Sequence, residues 1–301
     1  MAMWRGWAHG VGYAVLSLAG GGARRAALYD LLYSLNWGET ITNNYGFSPA
    51  HGDTPERFQL ALYTKLLGLL GERTDAVRVS NVLEISCGRG GGLRHLAQHL
   101  PRQAEVIGLD FSVHAIAFCK KHYAAISNLA FVRGHALHLP FKNESFDLVI
   151  NVEASHVYGD DAAFLSEVRR VLRPQGRFLY ADYRNRKKIP MLEQLARAAG
   201  LAGEFHDITQ NVVAACGLDA ERRRQIIPSG VPRHARLLLG SYFANYAGLP
   251  GTSTFKRFRS GYRMYFLSCM TPRQQQDDAR PLPLPSLIVP AGRIVREEQA
   301  C

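Results

Sequence analysis

The chain has 301 residues, 47% of them apolar and 20% charged, enough for one α/β core of ordinary size with additions at each end. Thirty-six Lys and Arg against 25 Asp and Glu leave a formal charge of +11. The positives sit in short clusters (Arg184 with Arg186 to Lys188, Arg222 to Arg224, Lys256 to Arg259) and in no zinc-finger or basic-zipper pattern, which speaks against a nucleic-acid partner. Five scattered cysteines (Cys87, Cys119, Cys216, Cys269, Cys301) form no CxxC pair, so neither a disulfide scaffold nor a structural zinc is expected, and the setting reads as reducing and cytoplasmic.

Residues 11–19 are a short apolar run behind Arg5, too short to cross a bilayer and weakly flanked for a signal peptide, so a cap helix or surface anchor is expected. Gly20-Gly21-Gly22 breaks the chain before an apolar-periodic stretch from Ala26 to Leu35. Pro55 then opens a helix to about Leu70, with Phe58, Leu62, Leu66 and Leu69 at helical spacing. Residues 1–75 therefore read as an N-terminal helical cap.

From Val82 short apolar runs alternate with amphipathic helices. Strands are expected at 82–86, 106–110, 129–134, 146–150 and 177–183, and helices at 91–100, 113–123 and 160–172. That alternation over a core of 76–185 predicts an α/β fold, a mostly parallel twisted sheet with helices on both faces. Helices follow at 190–199 and 207–226, a turn at 228–232, another helix at 233–246, and a strand at 261–270 on the far edge of the same sheet. Residues 186–270 thus make a helical insertion or lid plus the last edge strand. The tail, 271–301, carries Pro281, Pro283, Pro285 and Pro290 and is expected to be extended and mobile.

In such sheets ligands bind beyond the carboxyl ends of the strands. Cys87-Gly88-Arg89-Gly90-Gly91-Gly92 follows the first strand, where glycine allows unusual backbone angles and close approach of a ligand. Asp110 ends the second strand, about 20 residues on, where a carboxylate can hold both hydroxyls of a ribose. Alone, this pattern fits NAD as well as S-adenosylmethionine.

The wider set VLEISCGRGGG, VIGLD, FVRGHALHLPF, ESFDLVI and EVRRVLRPQGRFLYADYR resembles the motifs of class I S-adenosylmethionine-dependent methyltransferases over about residues 79–185. A narrower likeness, to the phthiotriol and phenolphthiotriol dimycocerosate methyltransferases and related O-methyltransferases of polyketide tailoring, rests on Asn36-Trp37-Gly38, SCGRGGG, VEASHVY and FANYAGLPGTSTF with GYRMYF. The resemblance implies a Rossmann-like core with S-adenosyl-L-methionine as cofactor. Glu84 would face the methionine amino group or order the loop, Gly88 and Gly90 would pass beneath methionine and ribose, Asp110 would hold the ribose and Phe111 would lie on the adenine. Where the family has Gly-Asp-Ala after the third strand, this chain has Gly134-His135-Ala136. His135 either meets the adenine or turns to solvent, leaving the backbone near Ala136 to do so. Glu153 faces the cofactor in some relatives and could equally satisfy a loop amide.

A hydroxyl acceptor needs a base, and histidine suits that work near neutral pH. His156, just past the fourth strand, is the candidate. Asp182, at the end of the fifth, is its candidate partner, related methyltransferases often having His and Asp at these places. The competing reading makes His156 a turn cap and pairs Asp182 with an arginine. Trp37, Tyr45 and Phe47 could line an acceptor pocket or belong to an aromatic cap. No metal is expected. The leading function is O-methylation of an apolar polyketide-like, phenolic or lipid-like natural product in secondary metabolism. C-methylation of an isoprenoid or its diphosphate is the alternative, with the arginines free for an anionic group. A cofactor-scaffolded cyclase or binding protein, and a nicotinamide dehydrogenase, stay open. Membrane-surface contact without insertion and the oligomeric state are left undecided.

Overall fold

Strand β1 (Asn81–Ile85) is apolar apart from Glu84, and Val82, Leu83 and Ile85 are fully buried, as expected of a parallel strand covered on both faces. The computed structural model describes residues 29–35, 37–75, 79–225 and 242–273. The apolar run at 11–19, Asn36, the turn at 228–232, most of the helix expected at 233–246 and nearly all of the proline-rich tail, Cys301 included, lie outside the described residues.

On one side of β1 lie β2 (Glu105–Asp110) and β3 (Leu129–Arg133), on the other β4 (Phe146–Val152) and β5 (Leu172–Asn185), all parallel. Two short strands, β6 (Leu201–Ala202) and β7 (His206–Asp207), and the long β8 (Arg263–Pro272) complete the sheet. β8 runs antiparallel to β5, from Phe178 opposite Met270 to Asn185 opposite Arg263. The order is β3-β2-β1-β4-β5-β8-β6, with β7 also on β8. The strand expected at the edge therefore exists but sits one place in, because β6 and β7 pair its outer side.

The helices are α1 (Arg57–Leu67), α2 (Gly91–Ala97), α3 (Val113–His122), α4 (Asp161–Val171), α5 (Ile189–Ala198), α6 (Thr209–Leu218), α7 (Ala220–Gln225) and α8 (Ser253–Arg259). Leu62, Leu93, Ile116, Val212 and Phe258, from α1, α2, α3, α6 and α8, pack on one face of the sheet. Phe164, Val168 and Leu192, from α4 and α5, pack on the other. Each fully buried side chain of this size contributes about 1.5–3 kcal/mol. Ser112 caps α3 by accepting from Ala115 N–H at 3.1 Å, and Asp160 caps α4 by accepting from Ala163 N–H at 2.9 Å, each worth about 1 kcal/mol. The single helix expected at 207–226 is broken at Asp219, whose carboxylate turns inward to Gln59 Nε2 (2.9 Å) and Arg222 Nε (2.8 Å).

Ahead of the sheet, residues 29–34 are helical and residues 37–45 form a strap. Asp30 accepts from Ser112 Oγ (2.5 Å) and His114 Nδ1 (3.1 Å), just past the end of β2. Ile41 C=O accepts from Gly91 N–H at 3.1 Å, and Gly38 C=O from the Arg89 guanidinium at 3.1 Å. Glu56 steadies the strap from α1's N-terminus, accepting from Thr42 N–H (3.0 Å) and Thr42 Oγ1 (2.7 Å). Among the described residues no helix is long and apolar enough to cross a membrane.

Candidate active site

Strand order reverses between β1 and β4, so a crevice opens at the carboxyl ends of these two strands. The glycine loop fills one side of it. Gly88 and Gly90 have φ of +54° and +73°, left-handed values that disfavour any side chain. A Cβ on Gly92 would fall 1.9 Å from the Tyr63 ring, so α2 enters the core only because its first turn is bare. Asp110 is buried and fixes the loop: its two oxygens accept from Gly88 N–H and Ser112 N–H, both at 2.9 Å. A carboxylate offers about four lone-pair sites, so capacity to accept remains. Burial raises the Asp110 pKa, opposed by those backbone bonds. Beneath the loop, Glu84 is 1% exposed; Oε1 accepts from the Tyr63 hydroxyl at 2.8 Å and Oε2 has no partner. Burial pushes its pKa up to about 8, the Tyr63 bond tempering the rise and Asp110 adding to it.

The other side of the crevice is built by the ends of β4 and β5. Ser86 and Glu153, each just past its strand, have φ of +60° and +48°. Such backbone costs a non-glycine residue about 1–2 kcal/mol, so strain collects at the two strand ends that flank the crevice. Glu153 Oε1 accepts from Tyr45 N–H (2.6 Å) and the Tyr265 hydroxyl (2.7 Å), tying strap and β8 to this turn. Burial pushes Glu153 up to about 8 as well, against those two hydrogen bonds.

His156 and Asp182 meet here. His156 Nδ1 lies 2.8 Å from Asp182 Oδ1, and Asp182 is fully buried. Asp182 also accepts from Ser155 Oγ (2.6 Å), His156 N–H (3.1 Å) and Tyr183 N–H (2.7 Å), with Arg184 3.2 Å from Oδ2. Burial alone would raise its pKa, but the neighbouring His156 and Arg184 and the bonds from His156 and Ser155 outweigh it and hold the group well below the carboxylate range. An ionised carboxylate only accepts, so Nδ1 carries the hydrogen and the neutral ring keeps its lone pair on Nε2. The Tyr183 hydroxyl stands 2.9 Å from that nitrogen. Arg184 continues inward to Asp161 Oδ1 (2.8 Å) and Ser155 Oγ (2.9 Å). Asp182 thus contacts a histidine on one side and an arginine on the other.

His156, Tyr183 and Glu153 open on a cavity of about 400 Å³ walled by Tyr29, Trp37, Tyr45, Phe243, Tyr246 and Leu249, among others. Trp37 and Tyr45 are therefore wall residues, whereas Phe47 packs in the core. Arg222, Arg223 and Arg224 reach the same cavity, already engaged. Arg222 pairs with Asp219 at 2.6 Å and Arg224 with Glu221 at 2.9 Å, while Arg223 donates to the carbonyls of Ala247 (2.7 Å) and Tyr45 (2.6 Å). Among the described residues no group of three His, Cys, Asp or Glu gathers as a metal site would require.

The residues just past β2 and β3 stand apart from this cavity. Phe111 is 41% exposed, with the His135 ring edge-on to it at 5.8 Å between centroids. Leu137 N–H donates to His135 Nδ1 at 3.2 Å, so the neutral ring holds its hydrogen on Nε2 and has no acceptor left. Burial and nearby His138 lower its pKa. Ala136 is buried beside it. Sequence reasoning missed Tyr183 and Ser155. Strand alternation carried a signal for the first: Leu179 and Ala181 face the core layer on the cavity side, and Tyr183 is the next residue of that parity.

The family model described as "Methyltransferase domain" matches residues 82–176. The chain is 37% identical over 227 residues to the probable phthiotriol/phenolphthiotriol dimycocerosates methyltransferase 2 of Mycobacterium ulcerans, covering 74% of this chain and 83% of that protein. It is 35% identical over 246 residues to the fatty-acid O-methyltransferase of Mycolicibacterium smegmatis, covering 81% and 85%. Among solved structures, the [4+2]-cyclase SpnF superposes with a TM-score of 0.63 at 17% identity, over 85% of this chain and 98% of that one. Methyltransferases of this fold have been solved with S-adenosylmethionine or S-adenosylhomocysteine bound, and the cofactor here is S-adenosylmethionine. The residues present fit it: a bare glycine turn, a buried carboxylate at Asp110 with lone pairs to spare, and an orphaned buried oxygen on Glu84.

Proposed function

The chain belongs to the class I S-adenosylmethionine-dependent methyltransferases, and from that premise we propose that it methylates a hydroxyl of an apolar, lipid- or polyketide-like small molecule. The observation carrying this reading is the Asp182–His156 pair, 2.8 Å apart, with His156 in the wall of an aromatic cavity that Arg89 of the glycine loop also lines. The names of the mycobacterial relatives, with dimycocerosates and fatty acids as acceptors, favour a lipid-like molecule for a cavity of this lining.

When bound, S-adenosylmethionine supplies a methyl group already activated by its sulfonium. Asp110 would hold the ribose hydroxyls, Gly88 and Gly90 would let the ligand lie against the main chain, and Glu84 Oε2 would face the methionine ammonium. Phe111 would cover one face of the adenine. His135, with no acceptor to offer, would leave the adenine edge to the backbone at Ala136. Glu153 holds the turn on which His156 sits and so positions the site from the cofactor side. His156 is the general base, and Asp182 holds its tautomer and balances the charge it gains. On this reading residues 76–185 carry the donor site, and the flanking segments, 1–75 and 186–270, shape the acceptor wall.

The test uses methyl-labelled donor with a long-chain secondary alcohol, a 4-alkylphenol and a fatty acid of similar length. A methyl ether from the alcohol or the phenol is expected. His156→Ala should slow it about a hundredfold while donor affinity holds. Methylation of the fatty acid alone, or an unchanged rate in the variant, would overturn the assignment.

A further inference from the structure

We infer that Tyr183 is a catalytic residue, taking the acceptor's proton on its phenolic oxygen as it passes its own to His156 Nε2. The inference rests on His156 as the base. Both ring nitrogens of His156 are already engaged, Nδ1 by Asp182 at 2.8 Å and Nε2 by the Tyr183 hydroxyl at 2.9 Å. With the hydrogen on Nδ1 the Tyr183 hydroxyl is the donor, so no acceptor hydroxyl can bond to the base directly while Tyr183 stays in place.

Its surroundings keep it there. The ring packs edge-on against Phe258 at 5.3 Å and tilts against Tyr45 at 5.8 Å and His156 at 4.3 Å. The Arg263 guanidinium lies over it at 5.1 Å. Its own N–H donates to Asp182 Oδ1 at 2.7 Å, so one carboxylate fixes both the imidazole and the backbone that carries the phenol. Tyr183 also lines the cavity, and a phenolic oxygen can accept while it donates. Burial, with Asp182 and Glu153 nearby, raises its pKa despite Arg263 and a hydrogen bond with the Tyr45 side chain, so the phenol hands a proton on rather than standing as a phenolate.

The step balances. The acceptor oxygen forms the new bond to the methyl carbon, and the electron pair of the broken carbon–sulfur bond stays on sulfur. The hydroxyl proton moves to Tyr183 while the Tyr183 proton moves to His156 Nε2. Tyr183 ends neutral and the imidazolium faces Asp182.

Tyr183→Phe keeps the ring and removes the relay atom. With the long-chain secondary alcohol, S-adenosylhomocysteine release should fall about a hundredfold. With the fatty acid, ionised at pH 7.5 and in no need of a base, the loss should be at least about tenfold smaller. In mixtures of light and heavy water the wild-type rate on the alcohol should bow below a straight line, as two protons in flight require. Equal losses on both acceptors would mark a structural role and overturn the relay. So would a wild-type or faster rate on the alcohol, which would make Tyr183 a cap over Nε2. His156→Ala, run alongside, separates the readings: slow there with Tyr183→Phe unimpaired leaves the base standing without the relay, and fast there removes both.

Discussion

Asp182→Asn changes one oxygen to an amide nitrogen in a fully buried position surrounded by donors. Oδ1 accepts from His156 Nδ1 and Tyr183 N–H, and Oδ2 from Ser155 Oγ and His156 N–H, with Arg184 beside it. An amide group placed at Oδ2 points its hydrogens at His156 N–H and the guanidinium. Placed at Oδ1 it points them at Tyr183 N–H and drives the imidazole hydrogen to Nε2, where no base remains. Either way at least one buried donor is stranded, at about 1–3 kcal/mol, and Arg184 loses one of its two carboxylates. Breaking a buried pair outright costs about 3–5 kcal/mol; Arg184 keeps Asp161 at 2.8 Å, so about 3 kcal/mol is the expected loss. At about 2–4 °C per kcal/mol for a domain of this size, Tm should drop by roughly 6–12 °C. The second placement strands fewer donors, and its loss of the correct tautomer should cut turnover on the secondary alcohol about a hundredfold, as far as removal of His156 does. Because the folded pKa of Asp182 is depressed, its stabilisation is present above the ordinary carboxylate value of about 4 and is lost only as pH falls through the folded pKa. The Tm gap between variant and wild type should therefore hold steady from pH 8 to pH 5. A variant melting within a degree of wild type, or turning over within tenfold of it, would refute the reasoning.

Glu84, pushed up to about 8, keeps a proton in the folded chain that an unfolded chain has lost, so its contribution to stability falls as pH rises between its ordinary value and about 8. Pairing with the donor's ammonium requires that proton to leave. Calorimetry at pH 7 in buffers of different ionisation enthalpy should register proton release, with Kd tightening up to about tenfold per pH unit from pH 5 to pH 7, below the range where the donor's own ammonium titrates; identical heats in all buffers would remove Glu84 from the site. Gly92→Ala gains about 1 kcal/mol of helix propensity, but its methyl falls 1.9 Å from Tyr63 and displaces the hydroxyl bonded to Glu84, so a net destabilisation of about 2 kcal/mol is expected in urea unfolding. Asp110→Ala should weaken donor binding roughly a hundredfold by isothermal calorimetry, the loss of two charged hydrogen bonds, and an unaltered Kd would contradict the ribose role.

The donor half of this molecule was legible because its chemistry lies at strand ends a few residues from diagnostic apolar runs. Gly88, Asp110 and His156 can each be placed by counting from a strand. The acceptor half resisted for a physical reason: its bonds join residues far apart in the chain. Tyr45 N–H reaches Glu153 across 108 residues and Gln59 reaches Asp219 across 160, and no local period records either. The break at Asp219 was invisible on the same ground, since tertiary bonds from Gln59 and Arg222 to one carboxylate overrode a continuous helical pattern. Tyr183 lay hidden beside its neighbour: Asp182 and Tyr183 point to opposite faces of β5, yet both meet His156, one at each ring nitrogen.

The strap from Trp37 to Tyr45 serves two masters. Trp37, Thr42 and Tyr45 face the aromatic cavity, while the carbonyls of Gly38 and Ile41 grip Arg89 and Gly91 of the glycine loop. Anyone resizing the cavity to admit a bulkier acceptor would disturb the donor's seat by working on this wall, and affinity for the two substrates would shift together. Ala244 and Leu249 line the same cavity from another segment of the chain and are the better place to begin such a redesign.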